Sequence, residues 1–305
     1  MHESDEILLA SEEVRSNFQK TIFLFCFMIF CIFGLSWLLG AIFGNVVLGF
    51  KIGFLVCLIV IPIELMSARF TIMSLTGCVP LDLNNPAEVR IFNIVHGISI
   101  SAGLKKIPEV YLIESNVPNA FASGWNEDSA FIGITTGLAD MMDDQELSGV
   151  IAHEISHIVH RDIMICQMSI AVNSAMLFLA IVIRWASFIS VFVRNRLAIV
   201  SLIFWLLFFF VYPIVAFLGL LFRMAISRKR EYAADALAVR LCSYNEGLAR
   251  ALEKLQGACP KLSREELDEL GGNKVECLYF YFPSKSIFST HPDTNERIKR
   301  LRTMY

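Results

Sequence analysis

The chain has 305 residues, of which 55% are hydrophobic, only 18% are charged and 25 are Phe. A soluble domain carries about a quarter charged residues, so a mean hydropathy of +0.58 points to apolar surface destined for lipid rather than for a core of ordinary size. The net charge of −3 does not by itself bear on nucleic acid, and no basic patch interleaved with aromatics occurs that would bind one.

The apolar residues are blocked, not periodic. A membrane helix needs about 20 of them, and four stretches qualify, at residues 21–40, 46–66, 163–184 and 199–222. The second carries Lys51 and Glu64 near its ends, where they can reach the interface. Gln167, Asn173 and Ser174 interrupt the third. Residues 1–20 are acidic, unlike the basic start of a cleavable signal. The eight Cys form no C-x-x-C pair, so neither an oxidising compartment nor a thiolate zinc site is called for.

These segments divide the chain into an N-terminal segment (1–20), a first transmembrane hairpin (21–66), a polar block (67–162), a second hairpin (163–222) and a second polar block (223–305). An even number of crossings places both polar blocks on one side, where they can build one domain. Arg15, Lys20, Arg69, Arg161, Arg223, Arg228, Lys229 and Arg230 flank that side, against Arg184, Arg194 and Arg196 on the other. The positive-inside rule then puts the domain in the cytoplasm, with the Arg-bearing second loop pulling mildly the other way.

In the first polar block, Asn85-Pro86 predicts a helix start, with Asn as cap and Pro at the first helical position, and the helix runs to about Gly103. Residues 109–114 (EVYLIE) and 129–136 (SAFIGITT) read as strands of a small sheet with a Gly-Trp-Asn-Glu-Asp turn between them. Asp143-Asp144-Gln145-Glu146 then opens a second helix with its acids where the helix dipole favours them. That helix is expected to run on through Arg161-Asp162 into the third apolar segment, bringing it to the membrane surface.

This second helix carries His153-Glu154-Ile155-Ser156-His157. Histidines four apart lie on one face, one turn from each other. Their imidazoles can share a metal, while Glu154, one step round, can reach a water bound to it; this is the mechanical content of H-E-x-x-H. A catalytic zinc keeps three protein ligands and one water. His160 lies about 10 Å along the axis from His153, out of reach of such a metal, and reads as an interfacial helix histidine. In the second polar block, EYAADALAVRL is a helix with Glu231 and Asp235 on one face. Glu231 could be the third ligand and Asp235 could accept a hydrogen bond from a ligand histidine; two solvated helix carboxylates are the other reading of that spacing.

In order and spacing, P-N-A-F-A (118–122), F-I-G-I-T-T-G-L (131–138), H-E-I-S-H-I-V-H-R-D, S-R-K-R-E-Y-A-A-D (227–235) and F-S-T-H-P-D-T-N-E-R-I-K-R-L (288–301) resemble the HtpX-like family of membrane zinc metallopeptidases, distant relatives of the CAAX prenyl endoproteases. The resemblance implies a mainly α membrane protein with four transmembrane helices and a zincin-like α+β catalytic domain containing a small sheet. It implies one Zn2+ per subunit on His153, His157 and Glu231, with Glu154 as general base and Asp235 behind the ligands. Asn119, Ala120 and Phe121 would lie on an edge strand that pairs with an extended peptide. His291 would lie near the site, able to donate to the oxyanion, and Arg297 would orient it or brace the domain. The implied function is endopeptidase cleavage of misfolded or damaged membrane proteins at the bacterial inner membrane, in quality control and stress response. A CAAX-type endoprotease would need more membrane helices. A non-proteolytic scaffold with a structural metal would not need Glu154, and a serine hydrolase elbow is absent, since no G-x-S-x-G occurs. Residues 260–273 match nothing in the family pattern.

Overall fold

The computed structural model describes residues 44–164, 228–258 and 292–304, together with Gln167, Phe209, Phe280 and scattered positions between 19 and 41. His291, the 260–273 segment and nearly all of the third and fourth apolar stretches lie outside the described residues. The chain divides into two compact units, one of residues 22–68 and 168–225, the other of residues 1–21, 69–167 and 226–305.

In the first unit, residues 22–41 are helical at their described positions and turn at Gly44 (φ 74°) into helix α1, Val46–Thr76, whose first turn is capped by Asn45 accepting from the Leu48 amide at 2.9 Å. The two arms touch backbone to backbone. A Cβ on Gly49 would fall 2.3 Å from the Ser36 carbonyl oxygen, and one on Gly53 2.9 Å from the Ser36 side chain. This G-x-x-x-G spacing lets helices approach where lipid supplies no hydrophobic force between them. The far side of α1 is apolar and uncovered within the described residues, with Phe54 62%, Leu58 61% and Met66 83% exposed. Five α1 side chains, at 60, 61, 64, 65 and 68, are outside the description, and over the described residues no helix is both long and apolar enough to cross a membrane.

The second unit holds a four-stranded sheet and six helices among the described residues. The strands are β1 (Cys78–Pro80), β2 (Glu109–Ile113), β3 (Ala120–Ser123) and β4 (Phe131–Thr135), in the order β1-β2-β4-β3. β2 and β4 are parallel, while β1 and β3 are antiparallel to their neighbours. β2 and β4 were expected from the residues, and an edge strand at β3 from the family resemblance. β3 and β1 are too short to show alternation, and β3 carries the P-N-A-F-A residues at one edge of the sheet. The expected turn is the link between β3 and β4, closed by a reciprocal Asn126–Ser129 cap.

Helix α2 (Pro86–Ser101) starts as expected, Asn85 accepting from the Ala87 amide at 3.1 Å, and buries Ile91, Val95 and Ile98. A short α3 (Thr136–Met141) follows β4. Helix α4 (Asp144–Val159) is the centre of the unit and is buried on nearly all sides, packed by α2, β3, α5 (Arg228–Cys242) and α6 (Glu246–Ala258). Gly149 makes the α6 approach possible, since a Cβ there would meet the Leu248 amide nitrogen at 2.7 Å. Helix α7 (Thr294–Arg302), capped by Asp293, lies against α5 and α6.

The H-E-x-x-H helix does not run on into the third apolar segment. It stops at Val159, with His160 as its C-cap and Arg161 in the left-handed region at φ 58°. A residue in that conformation ends a helix by reversing the chain, and helical structure resumes only at Asp162.

Candidate metal centre

His153 and Glu154 sit in the buried second half of α4, and His157 in its last turn. Asp143 fixes the start of this helix, accepting from the Gln145 and Glu146 amides at 2.9 Å each, while the Glu146 carboxylate accepts from the Asp143 amide. The acidic first turn expected from the sequence is therefore a reciprocal capping box. Two and a half turns on, His153 and His157 present their Nε2 atoms to each other at 3.1 Å.

Glu231, on the first turn of α5, completes the group. Its carboxylate oxygens lie 3.6 Å from His153 Nε2 and 3.7 Å from His157 Nε2. Among the described residues this is the one set of three or more donors that could hold a metal, all ligand atoms lying within 4.8 Å of one another. His160 is not in it; it caps α4 and is buried, and burial pushes its imidazole below the usual histidine range.

The other ring nitrogen of each histidine faces a carboxylate. His153 Nδ1 donates to Asp235 Oδ1 at 2.9 Å, and His157 Nδ1 donates to Asp162 Oδ2 at 2.8 Å. With both Nδ1–H groups so used, both neutral imidazoles aim an Nε2 lone pair into the same 3.1 Å gap. Two facing lone pairs repel unless a cation stands between them. Burial disfavours a charged His153, yet the Asp235 and Glu231 carboxylates outweigh it and raise the imidazole to about 9, the same pull that a cation between the rings would feel. The spacing suits zinc: bonds of about 2.0–2.1 Å to a tetrahedral ion put neighbouring nitrogens about 3.3 Å apart.

Each carboxylate is in turn held by a buried guanidinium. Arg297, from α7, forks onto Asp235 at 2.7 and 2.9 Å and extends to Glu231 at 3.6 Å. Arg230 Nη1 donates to Asp162 Oδ1 at 3.2 Å. Burial alone would raise Asp235 and Asp162, but Arg297 and the His153 hydrogen bond hold Asp235, and the His157 hydrogen bond and Arg230 hold Asp162, below the usual carboxylate range. The sequence analysis gave Asp162 and Arg230 no role at the metal centre. Asp162 follows His157 by five residues, a spacing that a continuous helix puts on another face, and only the left-handed break at Arg161 brings it back.

Glu154 points to the other side of the ligands, where it accepts from the Ala122 amide of β3; burial raises its carboxyl above the usual range against the pull of His157 and His153. Asn119 precedes β3 and pairs with Thr135, Ala120 stands opposite Ile134 and Phe121 opposite Gly133, where a Cβ would strike the Phe121 ring. These residues therefore lie on the edge strand adjoining Glu154. The Ala120 carbonyl accepts from the Phe280 amide at 2.9 Å, and the Phe280 ring meets His153 edge-on with centroids 4.9 Å apart. Nothing in the sequence singled out Phe280. His291 lies outside the described residues, one residue before the Pro292-Asp293 entry to α7.

Comparison with known proteins places this arrangement in a family context. The model of peptidase family M48 matches residues 87–305. A protease HtpX homolog of Dictyoglomus turgidum is 33% identical over 96% of this chain and 94% of its own. Protease HtpX of Legionella pneumophila is 34% identical over 85% of this chain and 91% of its own. The protease HtpX homolog of Streptococcus pyogenes serotype M5 is 34% identical over 96% and 99%. Among solved structures, Ste24p of S. mikatae aligns with a TM-score of 0.47 at 20% identity, over 88% of this chain and 61% of that one.

Proposed function

This chain belongs to peptidase family M48, a family of zinc metallopeptidases, and from that premise we propose that it is a membrane-integrated endopeptidase whose zinc is held by His153, His157 and Glu231. The observation that carries this assignment is the pair of Nε2 atoms 3.1 Å apart whose Nδ1 atoms both donate to carboxylates, with Glu231 closing the third corner. Two imidazoles and one carboxylate are the ligand set of a catalytic zinc that keeps a position open.

When bound, zinc lowers the pKa of a coordinated water and polarises a carbonyl. The remaining work belongs to side chains of the chain itself. Glu154, beside both ligand histidines, takes the proton of the attacking water on its carboxylate and returns it to the nitrogen of the leaving amine. The raised affinity of its buried carboxyl for protons suits both halves of that transfer. β3 is the edge strand along which an extended substrate would dock by strand addition, displacing the Phe280 amide from the Ala120 carbonyl, and its Ala122 amide contact sets Glu154 directly beside that strand. Asp235 and Arg297 keep the His153 imidazole in the tautomer that leaves Nε2 for the metal. His291, just ahead of α7, is the residue the family resemblance offers for the oxyanion.

The same reading makes the substrates misfolded or damaged membrane proteins, cut at segments near the bilayer on the cytoplasmic face, with quality control and stress response as the setting. Four crossings are supported by the four apolar stretches and by the uncovered apolar side of α1, whose 31 residues span about 46 Å against a hydrocarbon core of about 30 Å.

Detergent-purified protein tests the ligand set. Wild type is expected to hold one zinc per chain and to cleave unfolded casein. Glu231→Ala and His157→Ala are expected to lose both zinc and cleavage. A Glu231→Ala protein with full zinc content would remove Glu231 from the ligand set.

A further inference from the structure

We infer that Asp162 and Arg230 form a second orienting arm of the metal centre, which sets the His157 imidazole as Asp235 and Arg297 set that of His153. This inference rests on the ligand set proposed above and extends it to two residues to which the H-E-x-x-H and E-x-x-x-D spacings give no role.

The two arms match in construction. On each, a buried carboxylate accepts from the Nδ1 of a ligand histidine, at 2.9 Å for Asp235 and 2.8 Å for Asp162. On each, the other carboxylate oxygen is engaged by a buried guanidinium, Arg297 or Arg230. Asp162 and Arg230 are only 5% and 4% exposed. Arg230 has no second acceptor for its Nε or Nη2 atoms among the described residues, so Asp162 is its one anionic partner there. A buried guanidinium held by a single carboxylate contributes little net stability against its desolvation, which leaves room for a positioning role.

The backbone carries the argument further. A continuous α-helix would place Asp162 about 140° round the axis from His157. The chain instead leaves the helix at Val159, and Arg161 takes φ 58°, a conformation that strains a non-glycine residue. That local strain turns Asp162 back onto the ring it contacts. Such outliers persist where surrounding structure holds them, commonly at functional sites. Arg230 also immediately precedes Glu231, so the pair ties the α5 end that carries the third ligand to the α4 end that carries the second. The arm fixes both the tautomer of His157 and the separation of two ligands from different helices.

The test is zinc affinity of the full chain in detergent, measured by competition with a chromogenic chelator, beside the melting temperature of the metal-free protein. Asp162→Asn and Arg230→Met are expected to weaken zinc binding by about 10- to 100-fold, the usual cost of removing a ligand's hydrogen-bond partner. The metal-free melting temperature should fall as well, since each variant leaves a buried partner uncompensated, so affinity is read at a temperature where the metal-free variants remain folded. Arg161 variants serve if those proteins fail to fold. Arg161→Gly, at ease with positive φ, should keep near wild-type affinity, whereas Arg161→Val should lower it by about tenfold. Wild-type affinity in Asp162→Asn, or equal affinity in Arg161→Gly and Arg161→Val, overturns the inference while leaving the ligand set standing, provided His157→Ala abolishes binding. If wild type and His157→Ala bind zinc alike, the ligand set itself fails.

Discussion

At the scale of single residues, the centre is a problem of buried charge. Glu231, Asp235, Asp162 and Glu154 are all buried, and Arg297 and Arg230 are the guanidinium groups that face them. Removing one partner of a buried pair costs about 3–5 kcal/mol because the other is left uncompensated. Arg297→Ala in metal-free protein is therefore expected to lower unfolding stability by about that amount, read by denaturant titration with chelator present. Saturating zinc should recover part of the loss, since its charge compensates Glu231. A change below about 1 kcal/mol would mean that Arg297 carries no such load. The proximity of His153 and His157, the proposed ligands, was legible in the sequence because helical geometry converts a four-residue spacing into proximity. Glu231 and Asp235 needed the family resemblance, since their helix joins α4 only through tertiary packing. Asp162 was hidden by its own spacing, which is misleading unless the positive φ of Arg161 is known.

At the scale of elements, helix α4 determines whether the ligands are presented at all. Its capping box ties Asp143 to the amides of Gln145 and Glu146. Hydrogen bonds from those amides, Glu146 foremost, hold the Asp143 carboxyl below its ordinary value, opposed by slight burial and aided by Arg250. Asp143→Ala should cost about 1 kcal/mol at neutral pH. Because the folded carboxyl is depressed, its contribution is complete above the unfolded value near 3.9 and fades as pH falls through the lower folded one. The gap in melting temperature between wild type and Asp143→Ala should thus hold from pH 7 to about 5 and close below about 4. A gap that widens on acidification would contradict the assignment. In the body of α4, Gly149→Ala would press a methyl onto the Leu248 backbone, 2.7 Å away. A destabilisation of about 1–3 kcal/mol is expected, although alanine is the better helix former. The starts of α2 and α4 and the middle of β2 and β4 were readable because caps and β-rich runs are local signals. β3 came only from the family resemblance, since four residues buried on both faces show no alternation. Yet it is the strand that adjoins Glu154.

At the scale of the whole molecule, composition and catalysis belong to one account. Apolar blocks alternate with polar ones, and the polar ones supply every residue of the centre, His153, Glu154 and His157 from the first and Glu231, Asp235 and Arg297 from the second. Backbone contact through Ser36, Gly49 and Gly53 is the packing expected of helices in lipid. The chain should accordingly stay in the pellet when membranes are washed at alkaline pH, and release into the supernatant would refute the transmembrane reading. The central claim, that α4 is a peptidase helix with Glu154 as its proton carrier, is tested most directly by Glu154→Gln. Detergent-purified Glu154→Gln and wild type would be compared for zinc content and for cleavage of unfolded casein. The account predicts equal zinc in both and a loss of cleavage of at least about 10²-fold in the variant. A Glu154→Gln protein that cleaves as fast as wild type would contradict it and move the activity to other residues.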